Sequence, residues 1–206
     1  MAEPRKKTKR PYRSEKRDAA REATRAAIVS AAGQLLRDEG WQSFSLDAVA
    51  RAAGVTRLTV YNQFGGRRPL LEAVFDAQAL RGGLTDLVAA MQMSDPRAAL
   101  VRVVRTFCRF WSGAGPMHGV MAAAMADSEL AQAIAQRNER RRQLLERLVE
   151  RMPDVPKKRT PVLVDTLFAL TSFAFYQELV SSRLGSEKAC GTVVDLVVAT
   201  LERATG

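Results

Sequence analysis

Histidine is almost missing from this chain of 206 residues, and His118 stands alone. That excludes a histidine-rich metal site, and one imidazole without a paired acid is poor support for general-base catalysis. Cysteine is nearly as scarce. Cys108 and Cys190 are the only two, and nothing near either one in sequence would activate a thiolate, so they read as buried residues in a reducing, cytoplasmic protein. A glycine-rich phosphate loop and a repeat of fixed period are both lacking. So is a long uncharged apolar run. The most apolar stretch, "VLVDTLFALTSFAFYQELV" at 162–180, contains Asp165, Gln177 and Glu178, too many polar positions for a membrane span. No apolar segment follows the basic N-terminus as the core of a signal peptide would. The expectation is a protein that is not an enzyme, needs no cofactor or metal, and does not partner a membrane.

What the sequence does hold is charge at one end. The formal net charge is +10, and residues 1–17 carry eight Lys and Arg against Glu3 and Glu15. Residues 18–80 hold seven charges of each sign and cancel. The arm "PRKKTKRPYRSEKR" is too polar and too interrupted by proline to pack alone, and it suits phosphates or an anionic surface. Residues 1–17 are therefore expected to form a disordered basic arm.

The remainder reads as helix. Ile28, Ala32, Leu35 and Leu36 recur at helical spacing from about Asp18 to Asp38, and Gly40 ends the pattern. In "SLDAVARAAG", Leu46, Val49, Ala50 and Ala53 share one face behind Ser45, a capping residue, and Gly54 closes the helix. Thr56 caps the next start, and "TRLTVYNQF" runs to Phe64 before two glycines. Two short helices joined by a glycine turn form a helix-turn-helix. Within the second, Leu58 and Asn62 fall on one face and Val60 and Phe64 on the other. One face suits a core and the other a partner. In this motif the second helix lies in the major groove, where Asn62 can read adenine and the methyl groups of Leu58 and Thr59 can meet those of thymine, with Arg57 at the first turn.

These residues carry a resemblance. "IVSAAGQLLRDEGW", "FSLDAVARAAGV", "TRLTVYNQF" and "RRPLLEAVF" resemble, in order and spacing, the DNA-binding domain of the TetR family of transcriptional repressors over residues 24–75. The resemblance implies that Ser45, Thr56, Tyr61 and Arg67 hold DNA phosphates while Arg57, Leu58, Thr59 and Asn62 face the bases. Three departures from the family's pattern involve four positions. Leu58 replaces a small residue, Arg67 replaces a lysine, and Gly66 and Pro69 replace a cap and an acidic residue. Proline disfavours a helical residue before it, so the fourth helix is expected to begin a residue or two late.

The expected fold class is all-α: a helix-turn-helix DNA-binding domain over residues 18–80, then a helical ligand-binding and dimerisation domain over residues 81–206, with about nine helices in total. The apolar stretches at 162–180 and 192–204 are expected to supply a homodimer face through the last two helices. The resemblance implies a pocket for a small, mostly apolar effector. Candidate lining residues are Phe107, Phe110 and Trp111 on one helix, the stripe Met117, Met121 and Met125 on the next, and Phe168, Phe175 and Tyr176, with Asp165 and Gln177 as polar anchors. A methionine stripe at this spacing serves a core equally well. "RNERRRQLLERLVER" at 137–151 reads as the solvated face of a long helix, with Leu144, Leu145, Leu148 and Met152 turned inward. The expected function is a ligand-responsive repressor that binds a palindromic operator in double-stranded DNA as a dimer. Its rival is a basic-arm helical protein that binds nucleic acid or anionic membrane non-specifically.

Overall fold

The computed structural model describes residues 12–113 and 115–206. Among the described residues there are eleven α-helices and no strand. The N-terminal four are α1 (Tyr12–Asp38), α2 (Leu46–Ala52), α3 (Arg57–Phe64) and α4 (Arg67–Arg81). The remaining seven are α5 (Asp86–Met91), α6 (Pro96–Ser112), α7 (Gly115–Ala124), α8 (Ser128–Glu150), α9 (Thr160–Leu170), α10 (Phe173–Ser181) and α11 (Gly185–Thr205). The valine-rich C-terminal stretch is helix, as its helical setting predicts.

Three boundaries differ from the sequence expectation. Helix α1 begins at Tyr12 rather than near Asp18, so part of the expected arm is helical, and residues 1–11 lie outside the described residues. Helix α4 begins at Arg67, with Pro69 inside its first turn, and not late. At that position proline lacks only an N–H that has no intrahelical acceptor. The count also exceeds nine, in part because the apolar stretch at 162–180 is two helices, bent by 49°. The break sits at Thr171 and Ser172. The Thr171 hydroxyl donates back to the Leu167 carbonyl at 2.8 Å, and Ser172 Oγ accepts from the Phe175 N–H at 3.1 Å, which caps a new helix.

The first four helices enclose Ile28, Leu36, Phe44, Val49, Val60, Leu70 and Leu71, all 2% exposed or less. This unit is not isolated. Helix α1 packs along α7, and α4 touches α6, α7 and α8. Two glycines permit the approach. A Cβ on Gly82 would lie 2.6 Å from the Phe110 Cα, and one on Gly119 would lie 3.2 Å from the Leu36 carbonyl oxygen and 3.0 Å from its Cβ. Helix α4 follows the helix-turn-helix directly in the chain and is held at its far end by α6, so the two halves share one core.

Candidate nucleic-acid interface and the cleft behind it

Helix α3 is built by local signals. Thr56 is extended and its Oγ1 accepts from the Thr59 N–H at 3.1 Å, while Gly65, in the left-handed region at φ 75°, closes the other end on the Tyr61 carbonyl. Ser45 does the same for α2, accepting from the Ala48 N–H at 3.1 Å. Thr56→Ala is expected to cost about 1 kcal/mol of stability, the usual worth of such a cap, measurable by urea unfolding. No change would show that the cap is redundant.

Two faces of α3 have opposite fates. Val60 and Phe64 are 0% and 7% exposed, whereas Leu58 and Tyr61 are 65% and 56% exposed, and Asn62 is exposed beside them. This is the division that the spacing predicts. Thr59 is half-buried, and its hydroxyl shares a 2.9 Å hydrogen bond with that of Thr56. Arg57 forms an exposed ion pair with Asp47 of α2 at 3.6 Å. Such a pair is weak in water and readily exchanged for a phosphate or a base.

Arg67 is not simply free for DNA. Its guanidinium stacks 3.6 Å from the Trp41 ring centroid and donates to the Trp41 carbonyl at 3.3 Å, tying the start of α4 to the turn before α2. Arg25, which sequence reasoning missed, donates to the Gln63 carbonyl at 2.9 Å and covers the Phe64 ring at 4.3 Å. It clamps the end of α3 onto α1. An arginine on a long polar helix carries no local mark of that role.

Behind this unit, α4, α5, α6 and α8 border an open, mostly apolar cleft of about 260 Å³. Phe107, Phe110 and Trp111, three of the expected lining residues, form one wall, and Phe75 of α4 faces them. The rings are in contact: Phe75 meets Phe110 edge-on at 5.6 Å, and Phe110 meets Trp111 at 4.2 Å.

The other expected lining residues lie elsewhere. Helix α7 packs on α1, α4 and α8, so Met117 is core at 0% exposure, Met121 is half-buried, and Met125 is 91% exposed. None of the three lines the cleft. Asp165 projects outward and pairs with Arg142. Phe175, Tyr176 and Gln177 ride on α10, away from this cleft, with Tyr176 buried and the other two half-buried. Phe168 supports the cleft indirectly, with its ring centroid 4.2 Å from the Arg141 guanidinium.

Arg141 is the residue that the solvated-face reading misplaced. Leu145, Leu148 and Met152 are buried and Leu144 is half-buried as expected, but Arg141, one turn before Leu145, is also buried. It lies on the cleft wall at 7% exposure. It donates to the Thr171 carbonyl freed at the α9–α10 break, which also accepts from the Trp111 indole at 3.0 Å. Burial, and secondarily Arg142, push its pKa down to about 10, so it remains a cation at neutral pH. At the same cleft, Arg137 reaches across to Asp76 of α4 at 2.8 Å. Cys108 is buried and Cys190 half-buried, both with free thiols. Burial, with Cys190 alongside, pushes the Cys108 thiol up, the reverse of activation.

Comparison with known proteins places the N-terminal helices and the overall fold. Residues 28–74 match the family described as bacterial regulatory proteins, tetR family. Over 55 residues the chain is 40% identical to the HTH-type transcriptional regulator AlkX of Mycobacterium tuberculosis, covering 27% of this chain and 26% of that one. Over 81 residues it is 37% identical to the DNA-binding transcriptional repressor TetR of Mycobacteroides abscessus, covering 35% and 43% respectively. The aligned part thus spans less than half of either relative. Solved structures extend the likeness in fold. A TetR transcription regulator from Haloarcula marismortui superposes with a TM-score of 0.72 at 14% identity, over 90% of this chain and 100% of that one. A TetR-like transcriptional regulator from Rhodococcus sp. RHA1 gives 0.66 at 21% identity, over 89% and 97%. Residues 28–74 thus match the DNA-binding domain of the tetR family of bacterial regulatory proteins, and over 90% of its length the chain has the fold of a solved TetR transcription regulator.

Proposed function

We propose that the protein is a cytoplasmic, dimeric, ligand-responsive transcriptional repressor that reads a palindromic operator. The observation that carries this is the exposed Leu58, Tyr61 and Asn62 surface on a capped α3 whose opposite face, Val60 and Phe64, is locked in the core. A rigid helix with an outward leucine, tyrosine and asparagine is made to enter a groove. Ser45 and Thr56 lie at the starts of α2 and α3, where backbone N–H groups favour phosphate oxygens. Arg57, Thr59 and Arg67 complete the expected contact set.

The dimer face is supported by apolar side chains left in water, Val162 on α9 and Leu196 and Val198 on α11, which are 70%, 40% and 36% exposed. No single described helix is long and apolar enough to cross a membrane. Effector binding in the cleft would act through α4, which forms one of its walls and leads straight to α3. A ligand that binds better to the dimer whose recognition helices no longer match the half-sites lowers operator affinity by that difference.

The test is a titration of the full chain against labelled duplex DNA, a hairpin RNA and vesicles of anionic lipid, at several salt concentrations. Duplex DNA is expected to bind at least about tenfold more tightly than the other two, and removal of residues 1–14 to weaken binding and flatten its salt dependence. Equal affinity for all three would favour the rival, a basic protein that follows charge alone.

A further inference from the structure

The cleft wall has a charge imbalance that its apolar character does not explain. Three arginines, Arg137, Arg140 and Arg141, line it against a single acid, Asp76, and Arg137 already holds Asp76 at 2.8 Å. Arg141 lies deepest. It is 7% exposed, its Nε is buried with no hydrogen-bond partner, and among the described residues no carboxylate lies within 4.0 Å of it. Its neighbours are the Phe107 and Phe168 rings, the Thr171 carbonyl and a second cation, Arg142. A buried guanidinium with no counter-ion is destabilising, and a well-packed apolar residue would serve the fold better.

We infer that the cleft binds a small amphipathic carboxylate, with its apolar body between Phe75, Phe107, Phe110 and Trp111 and its carboxylate on the Arg141 guanidinium. This rests on the ligand-responsive reading above and names the chemical class of the effector. One planar guanidinium with a donor left over matches a planar carboxylate. A phosphate dianion would call for more buried positive charge than Arg141 supplies, since Arg137 is held by Asp76 and Arg140 is exposed to solvent. The volume of about 260 Å³ falls just below the roughly 300–1,000 Å³ of drug-sized sites, so the ligand is small. Because Arg137 couples the same wall to Asp76 of α4, an anion beside it would compete with that pair and loosen α8 from α4.

The experiment is calorimetric titration of the full chain, without DNA, with octanoate, 4-phenylbutyrate and 2-naphthoate, each paired with its primary alcohol. At least one acid is expected to bind at least about tenfold more tightly than its alcohol, the usual advantage of a charge-assisted hydrogen bond. R141M should erase that preference while leaving alcohol binding and the circular dichroism unchanged. It should unfold at the same temperature or higher, since the Thr171 carbonyl keeps its bond from Trp111. If R141M does not fold, R141Q removes the charge but keeps a donor for that carbonyl and gives the same comparison. No acid preferred over its alcohol, or a preference that survives the loss of Arg141, would overturn the inference. Since no DNA is present, such a failure is separate from failure of operator recognition. Acid binding without an operator would keep the site and remove the repressor, and an operator without acid binding would do the reverse.

Discussion

Phe110→Ala is expected to lower the free energy of unfolding by about 3–5 kcal/mol, the range for deleting a large aromatic from a packed core. Phe110 is 1% exposed and packs on Phe75 and Trp111. Its backbone passes so close to Gly82 that the C-terminal end of α4 lies against it without any side chain between. Its carbonyl also accepts from the buried Gln78 amide at 3.4 Å. Truncation therefore leaves a void in the joint between the DNA-binding unit and the rest of the molecule, where the glycine contact prevents the helices from simply closing in. Domains of this size have only about 5–15 kcal/mol in hand, so the milder Phe110→Leu, expected to cost under about 1.5 kcal/mol as a near-volume-conserving exchange, is the companion variant. Urea denaturation followed by circular dichroism measures both. A loss below about 1 kcal/mol for the alanine variant would show that the joint is not tightly packed.

Asn62→Ala is expected to weaken operator binding by about 1–3 kcal/mol, the worth of a good bidentate base contact, and to leave binding to random duplex nearly unchanged. The asymmetry follows from position. Asn62 sits on the exposed face of α3, one turn beyond Leu58, and among the described residues its side chain makes no hydrogen bond. Its removal should leave stability within about 0.5 kcal/mol. Fluorescence anisotropy on operator and scrambled duplex, at one fixed salt concentration, gives the ratio directly. Equal losses on the two duplexes would remove Asn62 from base reading and make it a general contact.

The parts of this molecule that were legible in its sequence are those set by neighbours along the chain. Ser45 and Thr56 cap because a hydroxyl beside three free N–H groups does so wherever the chain turns into a helix, and Gly65 ends α3 because the backbone there turns left-handed. The two faces of α3 followed from a period of 3.6 residues alone. The cleft was half legible. Phe107, Phe110 and Trp111 share a face of α6, but whether that face met a void or another helix depended on where α4 and α8 come to lie. The methionines of α7 misled because helical spacing states which residues share a face and not what covers it, and Met125 sits at the end of the stripe where nothing does. Arg141 was hidden most completely. In a run of five arginines over residues 137–147, all look solvated, and only the break at Thr171, with its freed carbonyl, draws this one inward. That break itself was concealed in a stretch whose apolar residues suggested one continuous helix.

On the proposed function, α3 reads a specific sequence as one half of a symmetric pair. Selection of bound duplexes from a random library at near-physiological salt tests it most directly. Enrichment of one palindrome is expected, with half-sites about one helical turn, or a multiple of it, apart. Tight binding with no enriched sequence would contradict it, leaving the basic charge of the chain to account for the affinity.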